Sequence, residues 1–159
     1  GYTGPGILAC PPCLEVNLAP VEGTTEGTIV ADVSVEDLPA DIGFVLVSTP
    51  IKVDVSGGFA KRITGGWEAD RLREYLAKKK DASIYNVAEL GIGMNPNCRA
   101  TGNDLLDEGV QGSIHIAIGT NVYFPGGTVQ ATGHYDLVMS APTLEVDGKK
   151  LIVDGRLVF

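Results

Sequence analysis

The sequence predicts an α+β domain dominated by antiparallel sheet, and three observations lead there. Short β-branched runs recur along the chain, separated by Gly, Pro and Asp, which is the rhythm of hairpin-connected strands. One stretch, Trp67 to Lys80, changes to helical spacing. No repeat, linker or low-complexity stretch divides the 159 residues, a length suited to one domain that buries roughly 70% of the surface its unfolded chain exposes.

Val16 to Pro20, Gly27 to Val35, Phe44 to Val47, Ile51 to Val55 and Phe59 to Ile63 read as strands. Gly57-Gly58 joins the last two as a hairpin, because paired residues that accept positive φ match the strand twist. In the segment 67–80, Trp67, Leu72, Tyr75 and Leu76 recur near helical spacing, and Glu74 with Lys78 makes an i,i+4 pair. Lys78-Lys79-Lys80 falls at the end of this helix, where cations complement the helix dipole. Beyond it, Tyr85 to Ile92, Gly112 to Ile118, Thr128 to Met139 and Thr143 to Phe159 return to strand patterns. Asp147-Gly148 and Asp154-Gly155 are tight hairpin turns within the last of these.

Composition narrows the function classes. The formal charge is −8, with 12 basic against 20 acidic residues. That balance argues against a nucleic-acid partner, which needs clustered Lys and Arg. The longest apolar runs, such as Ile42 to Val47, fall far short of the ~20 residues of a membrane span, and no secretory segment is present, so a cytoplasmic location is expected. Gly1 to Leu8 lacks both a basic region and an initiating methionine, as if cut from a longer chain. The CxxC spacing of Cys10 and Cys13 is open to free thiols, a local disulfide, or metal or redox work. Two prolines and a strand-like continuation set it apart from a thioredoxin motif, and Cys98 is the only cysteine left over for a structural zinc.

The residues with chemistry are few. His134-Tyr135-Asp136 places an imidazole and a carboxylate two apart, hence on one face of a strand, where both can grip one metal ion. His115 alternates with isoleucines in Ser113 to Gly119, and Glu89 sits inside the apolar run Val87 to Gly93, where a buried acid must be paired or bound to metal. Glu15 opens another strand-like run. Imidazoles with carboxylates suit Zn, Co, Mn or Fe rather than a thiolate-selected metal.

Five segments in order, Glu15 to Pro20, Glu22 to Gly27, Asn86 to Pro96, Gly112 to Gly119 and His134-Tyr135-Asp136, resemble the C-terminal, metal-binding half of the aminopeptidase T-like metallopeptidase family. The resemblance implies two divalent metals, zinc or cobalt foremost, held by Glu15, Glu89, His115, His134 and Asp136. It implies hydrolysis of N-terminal peptide bonds of a peptide or other small substrate by metal-activated water, with Glu89 or Glu15 bridging or taking the proton. Tyr123 is the nearest match to the tyrosine thought to help the reacting carbonyl. It further implies a homodimer and an N-terminal domain ahead of this region.

Two other readings stand beside that one. The same superfamily contains ring-cleaving dioxygenases similar to the 2,5-dihydroxypyridine enzyme, and His115, His134 and Asp136 form the two-histidine, one-carboxylate set of a non-haem iron(II) site. Alternatively the chain is a non-catalytic structural or binding module, with Glu89 salt-bridged in the core, both histidines bonded to backbone, and Asp136 capping a turn.

Overall fold

The computed structural model describes residues 14–35, 38–39, 42 and 46–159. In chain order its elements are β1 (Glu15–Leu18), β2 (Gly27–Ala31), β3 (Ile51–Ser56), β4 (Phe59–Thr64), α1 (Trp67–Lys78), β5 (Val87–Gly93), α2 (Asp104–Asp107), β6 (Ile114–Gly119), β7 (His134–Met139), β8 (Leu144–Val146), β9 (Lys149–Val153) and β10 (Arg156–Leu157), with a 3-10 turn at Ala82–Tyr85. Every strand pairing between them is antiparallel. This is the α+β class that the sequence predicts.

Three sheets form among the described residues, in the orders β1-β5-β6-β7, β2-β3-β4 and β10-β9-β8. Alternation in β3 buries Ile51, Val53 and Val55 while Lys52 and Ser56 face water. Against them α1 lays Ala69, Leu72 and Leu76, and the same core takes in Ile118, Tyr135 and Leu137 from β6 and β7. One face of the four-stranded sheet therefore packs on the core. Residues of β6 and β7 in the alternate positions, His115, Ala117, His134 and Asp136, are directed to the other face.

Differences from the sequence reading have local causes. The helix stops at Lys78 rather than Lys80, because Lys80 adopts φ +53, a left-handed conformation that ends helices. The run from Thr128 becomes strand only at His134, because amides before it bond to side chains instead of a ladder: Thr128 N–H to Glu22 Oε1, Val129 N–H to Asn121 Oδ1 and Thr132 N–H to Asp81 Oδ2. Tyr85 belongs to the 3-10 turn, whose entry Asp81 caps by accepting from the Ser83 amide at 2.9 Å. β2 ends at Ala31, and Ser34 and Val35 form isolated bridges to Leu46 and Leu137. The short helix α2 had no sequence signal.

Phe44 and Val45 of one expected strand lie outside the described residues, as do Gly1 to Leu8, Cys10 and Cys13. Asp147-Gly148 and Asp154-Gly155 are hairpin turns as expected, all four residues at positive φ. Among the described residues no helix is long and apolar enough to cross a membrane.

Candidate metal centre

Strand register assembles the site. Glu89 on β5 lies opposite Ala117 on β6, and Ala117 lies opposite Asp136 on β7. One step along the same face, His115 is opposite Gly91, and Gly119 is opposite His134. On the other side of β5, Glu15 of β1 pairs with Gly93 and Asn17 with Gly91. Cross-strand partners share a face, so all five candidate ligands project from one side of the sheet.

Their atoms converge. His115 Nε2 lies 3.3 Å from Glu15 Oε2, 3.6 Å from Glu89 Oε1 and 4.0 Å from Asp136 Oδ1. His134 Nε2 lies 2.9 Å from Glu89 Oε2 and 3.5 Å from Asp136 Oδ2. Two groups of ligand atoms close enough to hold a cation result, Glu15-Glu89-His115 and Glu89-His134-Asp136, and Glu89 belongs to both. His115, Glu89 and Asp136 are buried, exposing 1%, 4% and 4% of their surface.

Charge in this cluster is strongly coupled. Burial disfavours charge on His115, yet the neighbouring carboxylates of Glu89, Asp136 and Glu15 raise its pKa to about 9. Burial likewise opposes charge on His134, and Glu89, Asp136 and the Thr120 carbonyl raise it to about 9. Glu89 is pushed up by its own burial, but the nearby imidazole of His115 and the hydrogen-bonded imidazole of His134 prevail and hold it at about 2. Without metal, the surrounding carboxylates therefore favour the protonated imidazoles, and a divalent cation would take the place of those protons, as metal binding does generally. Donor set, burial and charge therefore fit a divalent metal.

Several flanking groups shape the cluster. The Nδ1–H of His134 donates to Thr120 O at 2.8 Å, which leaves Nε2 as the nitrogen facing the carboxylates. Asn17 donates its side-chain N–H to Glu15 Oε1 at 2.8 Å. Gly91 leaves the space that the His115 ring occupies: a Cβ there would lie 1.9 Å from Nε2. The Phe124 ring packs at 5.8 Å from that of His134. Asn17 was detectable in the sequence as the i+2 neighbour of Glu15 on a strand, and Gly91 as a glycine inside one. The Thr120 carbonyl carries no sequence signal at all.

Tyr123 lies in an exposed turn, with 70% of its surface in water. The segment after β5 returns onto that strand, since a Cβ at Gly93 would lie 2.1 Å from Val110 O. Gly127 packs against Asn121, where a Cβ would lie 2.1 Å from its carbonyl oxygen. Buried Asp107 ties the loop after β5 by accepting from the Thr101 and Gly102 amides at 2.7 and 2.9 Å.

Comparison with known proteins assigns the lineage. The family model of NicX, 2,5-dihydroxypyridine 5,6-dioxygenase, matches residues 1–159. A 2,5-dihydroxypyridine 5,6-dioxygenase of Pseudomonas putida KT2440 is 27% identical over 148 residues, covering 87% of this chain and 41% of that protein. The solved structure of a 2,5-dihydroxypyridine dioxygenase from Pseudomonas putida KT2440 superposes with a TM-score of 0.80 at 24% identity, covering 92% of this chain and 44% of the other. The chain thus spans less than half the length of the relatives it matches.

These matches overturn the aminopeptidase T-like resemblance, and with it the hydrolase, aminopeptidase and metalloprotease readings. The proton-transfer and carbonyl-binding roles expected of Glu89, Glu15 and Tyr123 were framed for peptide hydrolysis, the reaction these matches overturn. The error has a physical origin. The segments around Glu15, Glu89, His115 and His134 build β1, β5, β6 and β7, which are the walls of the cluster. Imidazoles with carboxylates serve hydrolytic and oxidative metals alike, so such motifs report a cage and not the reaction run in it. By the match along its entire length, the chain belongs to the NicX family of 2,5-dihydroxypyridine 5,6-dioxygenases.

Proposed function

We propose that this chain carries the metal-holding part of a ring-cleaving dioxygenase that acts on a small hydroxylated pyridine. The observation that carries the reading is that buried His115 and half-buried His134 share one sheet face with Asp136, their Nε2 atoms 4.0 and 3.5 Å from its carboxylate oxygens, in a member of a dioxygenase family. We assign His115, His134 and Asp136 as ligands of a single non-haem iron(II), a set that leaves coordination positions open. When bound, iron(II) supplies the one-electron chemistry that lets dioxygen react with a closed-shell aromatic ring.

The chain's own groups do the rest. His134 is oriented by its Nδ1–H bond to Thr120 O. Glu89 and Glu15, the carboxylates left over, flank His115 and can hold a proton released from a substrate hydroxyl at Glu89 Oε1 or Glu15 Oε2. Burial of the cluster keeps bulk water from the reacting ring. A cytoplasmic, homodimeric protein belongs to the same proposal, its assembly measurable by sedimentation.

The test is to load the protein anaerobically with iron(II), add 2,5-dihydroxypyridine and oxygen, and follow oxygen uptake with loss of the ring absorbance. Uptake that is stoichiometric with substrate, and abolished together with iron binding in His134→Ala, is expected. Iron-saturated protein that consumes no oxygen with this or related hydroxypyridines would overturn the proposal.

A further inference from the structure

The carbonyl that orients His134 is held in place by residues far from the cluster. Thr120 is buried; its amide donates to Gly133 O at 2.9 Å and its hydroxyl to Val129 O at 3.1 Å. Asn121, fully buried, donates its amide to Val129 O at 3.0 Å and accepts from Val129 N at 2.8 Å through Oδ1. The other polar atom of its side chain, Nδ2, donates to Glu22 Oε1 at 3.1 Å, in the turn between β1 and β2. Glu22 also accepts from the Thr128 amide at 2.8 Å and from the Thr128 hydroxyl at 3.1 and 2.9 Å. These donors, the Thr128 amide foremost, hold the Glu22 carboxyl below its usual pKa range.

One exposed carboxylate thus gathers donors from both ends of the 120–128 loop, and the loop carries Phe124 against the His134 ring. Asn121 has no room to shift toward Gly127, which lies in contact with its carbonyl. We infer that Glu22, Asn121 and Thr128 form a clamp that positions the Thr120 carbonyl and, through it, aims His134 Nε2 at the metal. The inference rests on the reading of His134 as a ligand. All three are positioning residues, and none of them is among the converging ligand atoms.

Zinc(II) affinity, measured by competition with a chromophoric chelator, tests the clamp without recourse to activity. Thermal melting of the metal-free protein is recorded alongside. Asn121→Asp sets two carboxylates against each other and removes the Nδ2 donor. Combining it with Glu22→Gln restores an amide facing a carboxylate, with the donor reversed and the net charge of the pair unchanged.

Asn121→Asp is expected to weaken zinc binding about ten- to a hundred-fold, the range seen for groups that orient metal ligands, and the combined exchange to restore parental affinity. Asn121→Asp binding zinc as the parent does would overturn the clamp. So would a combined variant that recovers parental melting but stays weak in zinc binding. His134→Ala separates the two levels: loss of zinc there with full retention in Asn121→Asp removes only the clamp. Parental affinity in His134→Ala refutes the ligand reading itself.

Discussion

Gly91→Ala puts a single methyl group where the structure has room for none. The Cβ would lie 1.9 Å from His115 Nε2, 2.1 Å from Cε1 and 2.6 Å from Cδ2. Gly91 is not among the glycines at positive φ, so its backbone accepts an L residue and the cost is steric alone. To reach the 3.4 Å at which ordinary contact begins, the imidazole must retreat by about 1.5 Å from its present 1.9 Å. Metal–nitrogen bonds tolerate only about 0.2 Å of error, so a ring displaced this far no longer serves as a ligand. Overpacking of this kind costs about 1–3 kcal/mol of stability. Metal affinity should fall by at least the ten- to hundred-fold, roughly 1.4–2.8 kcal/mol, that follows disturbance of a ligand's support.

The assay is a chelator-competition titration with cobalt(II) or zinc(II) on the parent, Gly91→Ala, His115→Ala and the double variant. Because the methyl acts through the ring, the double variant should bind no worse than His115→Ala alone, which is the non-additivity expected of residues in contact. Parental affinity in Gly91→Ala, or losses that simply add, would refute the placement of His115 over Gly91.

Other consequences are measurable on the same protein. In the metal-free state, His115 and His134 titrate at about 9 against 6.5 unfolded, so the stability they contribute is full below pH 6.5 and is lost as pH rises through 9. Glu89, at about 2 against 4.5, contributes stability above pH 4.5 that is lost as pH falls through 2. Melting temperature should therefore peak between about pH 4.5 and 6.5 in chelator, and a profile still rising from pH 7 to 9 would contradict the pairing. Free metal at a hundredfold its Kd should stabilise the protein by about 2.7 kcal/mol, or about 5–10 °C for a chain of this size, and chelation should reverse the shift. Leu72→Ala, in the core on the far side of the sheet, should cost about 2–5 kcal/mol with metal affinity unchanged. A fall in affinity there would mean that the cluster depends on the core rather than on its own face.

What the sequence determined by itself was local. Alternation in Ile51 to Val55, helical spacing in Trp67 to Leu76 and the Asp-Gly turns follow from backbone stereochemistry and a few neighbouring residues. The fold class and most element positions could therefore be read directly. Candidate ligands were legible for the same reason: His134 and Asp136, two apart on a strand, share a face wherever that strand lies. The tertiary structure decided which strands are neighbours. Only the order β1-β5-β6-β7 brings Glu15 and Glu89 to His115. The approach of those carboxylates joins Asp136 in raising the histidine pKa values, since a shift depends on charges a few ångströms away and not on sequence separation. Thr120 illustrates the limit, because a backbone carbonyl is the same in every residue and gains a role only through what the fold sets against it. The reaction lay further still from the sequence motifs, because imidazoles and carboxylates make a cage that several chemistries share.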